Sequence, residues 1–226
     1  MRTITGQRTR LDRKSASLQA LYRSLNKIPF LPSTRCYNIT ISHEHKFLWY
    51  RVAKVGTRTI LHHLKESEVV LDVEHAGWLY YPVNSYKGYF KFAFVRNPWD
   101  RLASTWINKV VRKNTLKFSE ADHQKMQRFE NFVGFVSDLN IEDCDRHIRS
   151  QSALIDLNTL DYLGRMETFD RDARYIFDKL KLKKADIVPR NVTSERKAYR
   201  DYYDDRLVEE VAQIYRKDIQ ILGYTF

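Results

Sequence analysis

Two hydrophobic periods alternate along the chain, and together they predict strands that are followed by helices. The segment YNITISHEHKFLWYRV, residues 37–52, has the pattern of a β-hairpin, and its second strand leads into a polar loop at Lys54. Helical spacing begins at Thr59. The run YFKFAFV at 89–95 predicts the clearest strand, and the helical stripe behind it has Pro98 in its first turn, where proline is tolerated.

The remainder of the chain repeats this order. Helices are predicted at 18–28, 129–139 and 171–182 and in the amphipathic tail 202–224, and a third strand is predicted within LDYLGRMETF, residues 160–169. Residues 68–88 are expected to be irregular, and His123 is expected in a polar linker. The alternation predicts a single-domain α/β fold that is P-loop-like, with three α/β/α layers and a central, mainly parallel sheet. We expect this domain to span 18–226, behind a flexible basic arm at 1–17.

Composition sets broad limits on function. The 226 residues are enough for one full core, and 43% hydrophobic with 30% charged residues is typical of a folded globular protein. No apolar run approaches the roughly 20 residues of a membrane-spanning helix, so no membrane span is expected. Cys36 and Cys144 match no metal or redox spacing, which indicates reduced thiols. A formal charge of +11 indicates an anionic partner, and the positions of the basic residues must decide which.

The first informative junction is the loop KVGTRT, residues 54–59, between the hairpin and a helix. Gly56 allows the backbone to curl around an oxyanion, and the N–H groups of the helix start favour negative charge. Lys54 supplies a point charge for a phosphate oxygen. The order differs from the GxxxxGK[ST] of P-loop kinases and ATPases. The alternative is a plain strand-to-helix turn with a capping threonine and an exposed lysine.

The second junction is FAFVRNPWDRLAS, residues 92–104. Arg96 ends a buried strand, where a cation needs a partner. Ser104 follows on the first turns of the next helix, so that its hydroxyl and Arg96 together could hold a second phosphate group. The alternative is a structural clasp between Arg96 and Asp100.

Taken together, K-x-G-T-x-T and V-R-N-P-x-x-R-L-x-S resemble the sulfotransferases that use 3′-phosphoadenosine 5′-phosphosulfate (PAPS), in particular the Golgi carbohydrate sulfotransferases and their bacterial relatives. Three later stretches add to the resemblance: DRHIRSQSALI, DYLGRMETFDRD and the tail YRDYYDDRLVEEVAQIYRKDIQILGYTF. The similarity runs from about residue 46 to the end of the chain. It implies a nucleotide co-substrate, PAPS, and a hydroxyl-bearing acceptor that is a saccharide, with no metal ion and no nucleic acid.

The resemblance also implies roles for the matching residues. The residues that would hold the 5′-phosphosulfate are Lys54, Gly56, Thr57, Arg58 and Thr59, and Lys54 would also steady the bridging oxygen as it leaves. Arg96 and Ser104 would hold the 3′-phosphate. Arg196 and Lys197 are further nucleotide-binding candidates in a later loop. Arg165 and Glu167 either neighbour the adenosine or form a structural ion pair.

Sulfuryl transfer to a hydroxyl group needs a general base, and histidine suits neutral pH. His75 precedes Arg96 at the spacing of the catalytic histidine in the heparan sulfate 2-O-sulfotransferase branch. His147 matches a family histidine that is tied more often to acceptor binding or to the fold. Other branches use a glutamate, and Glu74 stands beside His75. The predicted catalytic residues are therefore His75 and Lys54, with His147 and a glutamate as alternatives for the base.

Three other functions compete with this prediction. A P-loop kinase would need a GxxxxGK[ST] motif and an aspartate for magnesium at a strand end, and the sequence offers neither clearly. A nucleic-acid-binding protein would show a zinc-finger or RNA-recognition signature, and none is present. A non-catalytic binder of anionic glycans can be separated only by an activity measurement.

The acceptor site and the cellular location are predicted from weaker patterns. Aromatic residues at 78, 80, 81, 86 and 106 would either stack on sugar rings or lie in the core, and basic residues at 109, 112, 113 and 117 would either attract an acidic polymer or form a solvated helix face. Golgi members of the family carry an N-terminal membrane anchor that has no counterpart in this sequence. This difference predicts a soluble, bacterial-type enzyme in the cytoplasm.

Overall fold

The structure is a computed structural model that describes residues 36–80, 86–182 and 198–226, together with positions 17, 21 and 24. For residues 36 and 75–80 it describes the backbone alone. The predicted arm at 1–17 and the predicted helix at 18–28 lie outside the described residues, apart from those three positions. The domain boundaries therefore stay a prediction.

A mixed sheet of five strands forms the centre of the described fold. The strands are β1 (Cys36–Ser42), β2 (Phe47–Tyr50), β3 (Val73–Tyr80), β4 (Phe90–Val95) and β5 (Tyr162–Arg165), and their order across the sheet is β3-β1-β2-β4-β5. β1 is antiparallel to both β2 and β3, whereas β4 is parallel to both β2 and β5. Four of the five strands thus point the same way. The carboxyl ends of β2 and β4 lie side by side, where ligands bind in sheets of this kind.

The hairpin and β4 agree with the sequence prediction, but β3 does not. Ser42 pairs with Phe47 across the turn at residues 43–46. Within residues 68–88, which we expected to be irregular, residues 73–80 form an edge strand on β1. The register between the two strands shifts on both sides of Ile39. Such irregularities break the strict alternation on which strand prediction depends, so the prediction is wrong for this segment.

Seven α-helices lie among the described residues. They are α1 (Thr57–Glu66), α2 (Pro98–Trp106), α3 (Glu120–Met126), α4 (Phe129–Ser137), α5 (Phe169–Lys179), α6 (Asp205–Ile214) and α7 (Arg216–Leu222). α2 continues as a π-helical turn at Ile107–Val111, and 3₁₀ turns lie at Ser152–Leu154, Met166–Thr168 and Tyr199–Tyr202. The helices predicted after residue 98, at 129–139 and at 171–182 are confirmed. The tail predicted as one helix is divided at Tyr215.

The polar linker expected around His123 is instead the helix α3. Ser119 caps it by accepting a hydrogen bond from the N–H of Asp122 at 3.1 Å. No residue of this helix is buried, so it has no apolar stripe that periodicity could reveal. A hydrogen bond of 2.8 Å joins His123 Nε2 and the carbonyl of Val110 and ties the helix to the end of the π-helical turn.

Two groups of helices pack around the sheet. In one group, His63 of α1 packs on Phe177 of α5, and Phe169 at the start of α5 packs on Phe94 of β4, with ring centroids 6.1 and 5.2 Å apart. In the other group, α2 contacts α4 and α6, and Trp99 Nε1 donates to the carbonyl of Val208 at 3.0 Å. The predicted single α/β domain, with its three layers and mainly parallel sheet, is confirmed.

Candidate functional site

The loop between β2 and α1 turns at two residues with left-handed backbone conformations. The φ angle is 74° at Lys54 and 73° at Gly56. A Cβ atom on Gly56 would lie 2.8 Å from Cε2 of Phe169 and 3.1 Å from Sδ of Met166. Both the backbone conformation and the neighbouring side chains therefore require glycine at position 56.

The N-terminus of α1 presents backbone donors. The Gly56 carbonyl accepts hydrogen bonds from the N–H groups of Thr59 at 2.9 Å and Ile60 at 3.1 Å, and no side chain caps the helix. No described residue accepts a hydrogen bond from the N–H of Thr57 or Arg58. Because the helix dipole adds partial positive charge at this end, the turn favours an anionic ligand.

The side chains of the loop differ in exposure. Arg58 is exposed, Thr57 is half-buried, and Thr59 is only 3% exposed. The Thr57 hydroxyl donates to the carbonyl of Val52 at 3.1 Å. Because a hydroxyl group has one hydrogen, Thr57 must release that carbonyl before it can donate to a ligand.

The second junction is organised by Asn97, which caps α2. Its side-chain oxygen accepts hydrogen bonds from the N–H groups of Trp99 and Asp100, and Pro98 occupies the first turn. Arg96 Nε donates to Asp100 Oδ2 at 2.6 Å, and Arg96 Nη1 donates to the carbonyl of Lys54 at 3.2 Å. The clasp between Arg96 and Asp100 that the sequence allowed is thus present. The same guanidinium also joins the two junctions.

Arg101 and Ser104 both lie on α2 and are buried, with 1% and 5% exposed. The guanidinium of Arg101 donates to three carbonyls: Nε to Ala53 at 3.1 Å, Nη1 to Arg149 at 2.9 Å and Nη2 to Arg146 at 3.1 Å. Burial lowers the pKa of Arg101, and the nearby Tyr215 and Asp218 oppose that shift. Arg101 therefore fastens the residue before Lys54 to the segment around His147.

A basic cluster, defined here as Arg58, Lys109 and Arg146, lies beside this segment. Burial lowers the pKa of Lys109; Asp145 opposes the shift, while Arg146 and Arg58 lower the pKa further.

His147 Nδ1 and Asp145 Oδ1 are 2.7 Å apart, and the same oxygen accepts the backbone N–H of His147 at 2.8 Å. Burial lowers the pKa of His147, against the raising effect of Asp145, so the ring favours its neutral form.

His75 lies on β3, where the structure describes its backbone alone. The carbonyl of the preceding residue, Glu74, accepts a hydrogen bond from Arg51 Nη1 at 2.8 Å. Burial lowers the pKa of Arg51 to about 10. Arg51 lies between β2 and the loop, so its side chain connects β3 to the residues that lead into the loop. The Glu74 carboxylate pairs with Lys65 at 2.9 Å.

Arg165 and Glu167 do not pair with each other but contact the same ring. Arg165 lies over Tyr224 at 4.6 Å and donates to the Leu222 carbonyl at 2.5 Å. Glu167 accepts from the Tyr224 hydroxyl at 3.1 Å and from the N–H of Asn97 at 2.6 Å. Burial, reinforced by Glu167, raises the pKa of Tyr224. Through these contacts the end of β5 supports the cap of α2.

The structure therefore brings part of the predicted site together. The loop at 54–59 and Arg96 lie at adjoining strand ends, and Ser104 lies buried within α2. Arg196 and Lys197 lie outside the described residues. Among the aromatic candidates for acceptor contacts, Tyr86 is buried and Trp106 packs on Phe129 and Tyr202. The sequence pattern assigns no role to Arg101 or Gln151, because their partners are remote in sequence.

Comparison with known proteins identifies the class to which these junctions belong. The model of the Sulfotransferase family, consistent with family 2 of the carbohydrate type, matches residues 37–225. The chain belongs to this family and is a sulfuryl-transferring protein, which confirms the resemblance found in the sequence. No curated protein and no solved structure matches the chain.

Three further observations concern membrane spans, metal ligands and thiols. None of the described helices has the length and apolar character needed to cross a membrane. Within 36–80, 86–182 and 198–226, no three or more His, Cys, Asp or Glu side chains are grouped so that they could hold a metal ion. Cys144 carries a free thiol, whose pKa burial raises to about 11.

Proposed function

We propose that the protein transfers the sulfuryl group of PAPS to a hydroxyl group of an acceptor, which we expect to be a saccharide. The observation that carries the proposal is the hydrogen bond from Arg96 Nη1 to the Lys54 carbonyl at 3.2 Å, which joins two strand-to-helix junctions. Each junction carries a cation at the end of a parallel strand, and a doubly phosphorylated nucleotide needs two such anion sites.

The proposed donor site divides between these junctions. The 5′-phosphosulfate is held by Lys54, Gly56, Thr57, Arg58 and Thr59. This role is supported by the N–H groups of Thr57 and Arg58 at the head of α1, which have no acceptor among the described residues. Arg96 and Ser104 hold the 3′-phosphate. The residues fit the group because the loop at 54–59 contains no acidic residue and the helix start favours an anion. Arg196 and Lys197 stay predicted nucleotide contacts.

The proposed chemistry needs positioning, charge compensation and one proton acceptor. His75 accepts the proton of the acceptor hydroxyl while that oxygen forms its bond to sulfur in line with the breaking sulfur–oxygen bond. Lys54 neutralises the bridging oxygen that leaves with the nucleotide. A lysine ammonium group supplies that positive charge without a metal ion. The Arg51 contact to the Glu74 carbonyl supports His75, because it holds the neighbouring backbone against the residues that lead into the loop.

The saccharide acceptor rests on the family resemblance and on the basic cluster of Arg58, Lys109 and Arg146 beside the loop. The cluster suits an acceptor that carries negative charge of its own. The cytoplasmic location and the bacterial type stay predictions from the sequence.

Two measurements test the proposal. In the first, labelled PAPS is offered with a panel of glycans and small alcohols, and transferred label is mapped on the product. In the second, thermal unfolding is followed with 3′-phosphoadenosine 5′-phosphate (PAP) and separately with ATP and magnesium. We expect label on a saccharide hydroxyl and stabilisation by PAP alone.

Each other outcome points to a different function. Stabilisation by ATP with magnesium but not by PAP would overturn the proposal in favour of a kinase. PAP binding without transfer to any acceptor, under conditions in which a known sulfotransferase is active, would leave a non-catalytic binder. Label on a small alcohol rather than on a glycan would support PAPS as the donor and contradict a saccharide as the acceptor.

A further inference from the structure

The side chain of Gln151 holds the backbone of Arg96 on both sides. Gln151 Oε1 accepts a hydrogen bond from the Arg96 N–H at 3.0 Å, and Gln151 Nε2 donates to the Arg96 carbonyl at 2.8 Å. Gln151 is 0% exposed, so water does not compete for these groups. One carboxamide thus fixes the peptide groups before and after Arg96, at the point where β4 ends.

A second buried group holds Gln151 in turn. Asp218 on α7 accepts the N–H of Gln151 at 2.6 Å with Oδ2 and the N–H of Ser152 at 2.9 Å with Oδ1. Asp218 is also 0% exposed, and hydrogen bonds to a buried carboxylate are among the stronger ones. A continuous connection therefore runs from the last described helix through Gln151 to Arg96.

This connection controls where the guanidinium of Arg96 can lie. Its Nε is bound to Asp100 and its Nη1 to the Lys54 carbonyl, so the side chain has little freedom of its own. The position of the guanidinium then depends on the position of its backbone. Charged hydrogen bonds to an anion are sensitive to displacements of about 1 Å.

We propose that Gln151 and Asp218 are positioning residues that set how strongly the protein prefers a nucleotide with a 3′-phosphate over one without it. The inference rests on the proposed function, in which Arg96 contacts the 3′-phosphate. Neither residue contacts the ligand, and both act through the backbone of Arg96. If the two residues had a purely structural role, their substitution would weaken the binding of every nucleotide equally, because it would disturb the fold as a whole.

The test uses Gln151→Met, which keeps the side-chain length but removes both hydrogen bonds, and Asp218→Asn, which removes one of two acceptors. The affinities of the full chain for PAP and for adenosine 5′-phosphate are measured by calorimetry. We expect both variants to lower PAP affinity by about tenfold or more and to change the affinity for adenosine 5′-phosphate by less than about twofold. Asp218→Asn, which keeps one acceptor and leaves the Gln151 side chain intact, supplies the milder variant in case Gln151→Met does not fold.

Tyr215→Phe is the matched control. It removes the hydrogen bond of 2.7 Å from the Tyr215 hydroxyl to the Ile148 carbonyl, which anchors the same segment without touching Gln151. We expect lower thermal stability and an unchanged ratio of the two affinities. In an Arg96→Ala background, Gln151→Met should no longer change that ratio, because the group it positions is gone.

The outcomes separate this inference from the function on which it rests. An equal loss of affinity for PAP and for adenosine 5′-phosphate in the Gln151 and Asp218 variants would overturn the positioning role alone. A wild-type protein that binds PAP no more tightly than adenosine 5′-phosphate would overturn the proposed role of Arg96, and the positioning role with it.

Discussion

The carbonyl of Lys54 accepts a hydrogen bond from Nη1 of Arg96 at 3.2 Å. This bond joins the loop after β2 to the turn after β4, and the two strands are parallel neighbours in register from Phe47 and Phe90 onward. The two proposed phosphate sites are therefore directly connected. A change at either junction is expected to affect the whole nucleotide site.

Substitution of Lys54 tests the proposed centre of charge compensation. Lys54→Ala is expected to weaken PAP binding and to lower kcat by about 10²–10³-fold, since it removes the ammonium group that we propose neutralises the leaving oxygen. Lys54 has a φ of 74°, which glycine adopts more readily than alanine. The free energy of unfolding in urea should therefore be about 1–2 kcal/mol higher for Lys54→Gly than for Lys54→Ala, while both variants lose the same factor in kcat. Kinetics unchanged from wild type would remove Lys54 from the site.

Gly56→Ala tests whether the loop conformation depends on glycine. The new methyl group would lie 2.8 Å from the Phe169 ring in a backbone conformation with φ 73°, so we expect a loss of about 1–3 kcal/mol in the free energy of unfolding and weaker PAP binding. The control is Gly134→Ala on α4, where a Cβ atom meets nothing within 4 Å and alanine favours a helix. Equal stability of the two variants would show that the loop tolerates a side chain.

The sequence predicted the parts of the fold that depend on local pattern. Both junctions combine a strong apolar strand with turn residues and a helix start, so β2, β4 and the helices behind them could be found. β3 was not predicted because its pairing with β1 is irregular. α3 was not predicted because it buries no residue, although Ser119 followed by Asp122 is the signature of a capped helix start.

The side chains that hold the backbone of the site, Arg101 and Gln151, could not be predicted from local pattern. Arg101 reaches carbonyls 48 and 45 positions away, and Gln151 holds a residue 55 positions away. Their partners are backbone N–H and carbonyl groups, which every type of residue except proline has. The identity of the partner residue therefore gives no indication of the contact. Only the three-dimensional fold shows why a buried arginine and a buried glutamine stand at these positions.

Arg101→Met tests the guanidinium that fastens the loop to the segment around His147. Three buried or half-buried carbonyls lose their donor, and we expect the free energy of unfolding in urea to fall by about 3–5 kcal/mol. The control is Arg206→Met, which removes an exposed pair with Glu210 and should cost less than about 1 kcal/mol. A loss for Arg101→Met no larger than for the control would contradict the fastening role.

Paired variants separate the two histidine candidates for the base. His75→Ala is expected to lower kcat by about 10²-fold or more and to leave PAP affinity nearly intact, because a general base contributes about 10²–10⁴-fold to turnover. His147→Ala is expected to lower kcat less, since Asp145 holds both the ring and the backbone N–H of His147 in a local turn, which favours a structural role. The reverse order of the two effects would assign the base to His147, and equal turnover of His75→Ala and wild type would exclude His75.

The pH dependence of kcat gives an independent test of the same assignment. Burial, Lys109 and Arg146 lower the pKa of His147 from 6.5, and Asp145 opposes them. If His147 were the base, kcat would fall with decreasing pH only below 6.5, because the neutral ring persists to that point. Asp145→Asn would then move this limb to still lower pH, since the carboxylate that stabilises the protonated ring is lost. With His75 as the base, we expect Asp145→Asn to leave the midpoint of the acid limb unchanged.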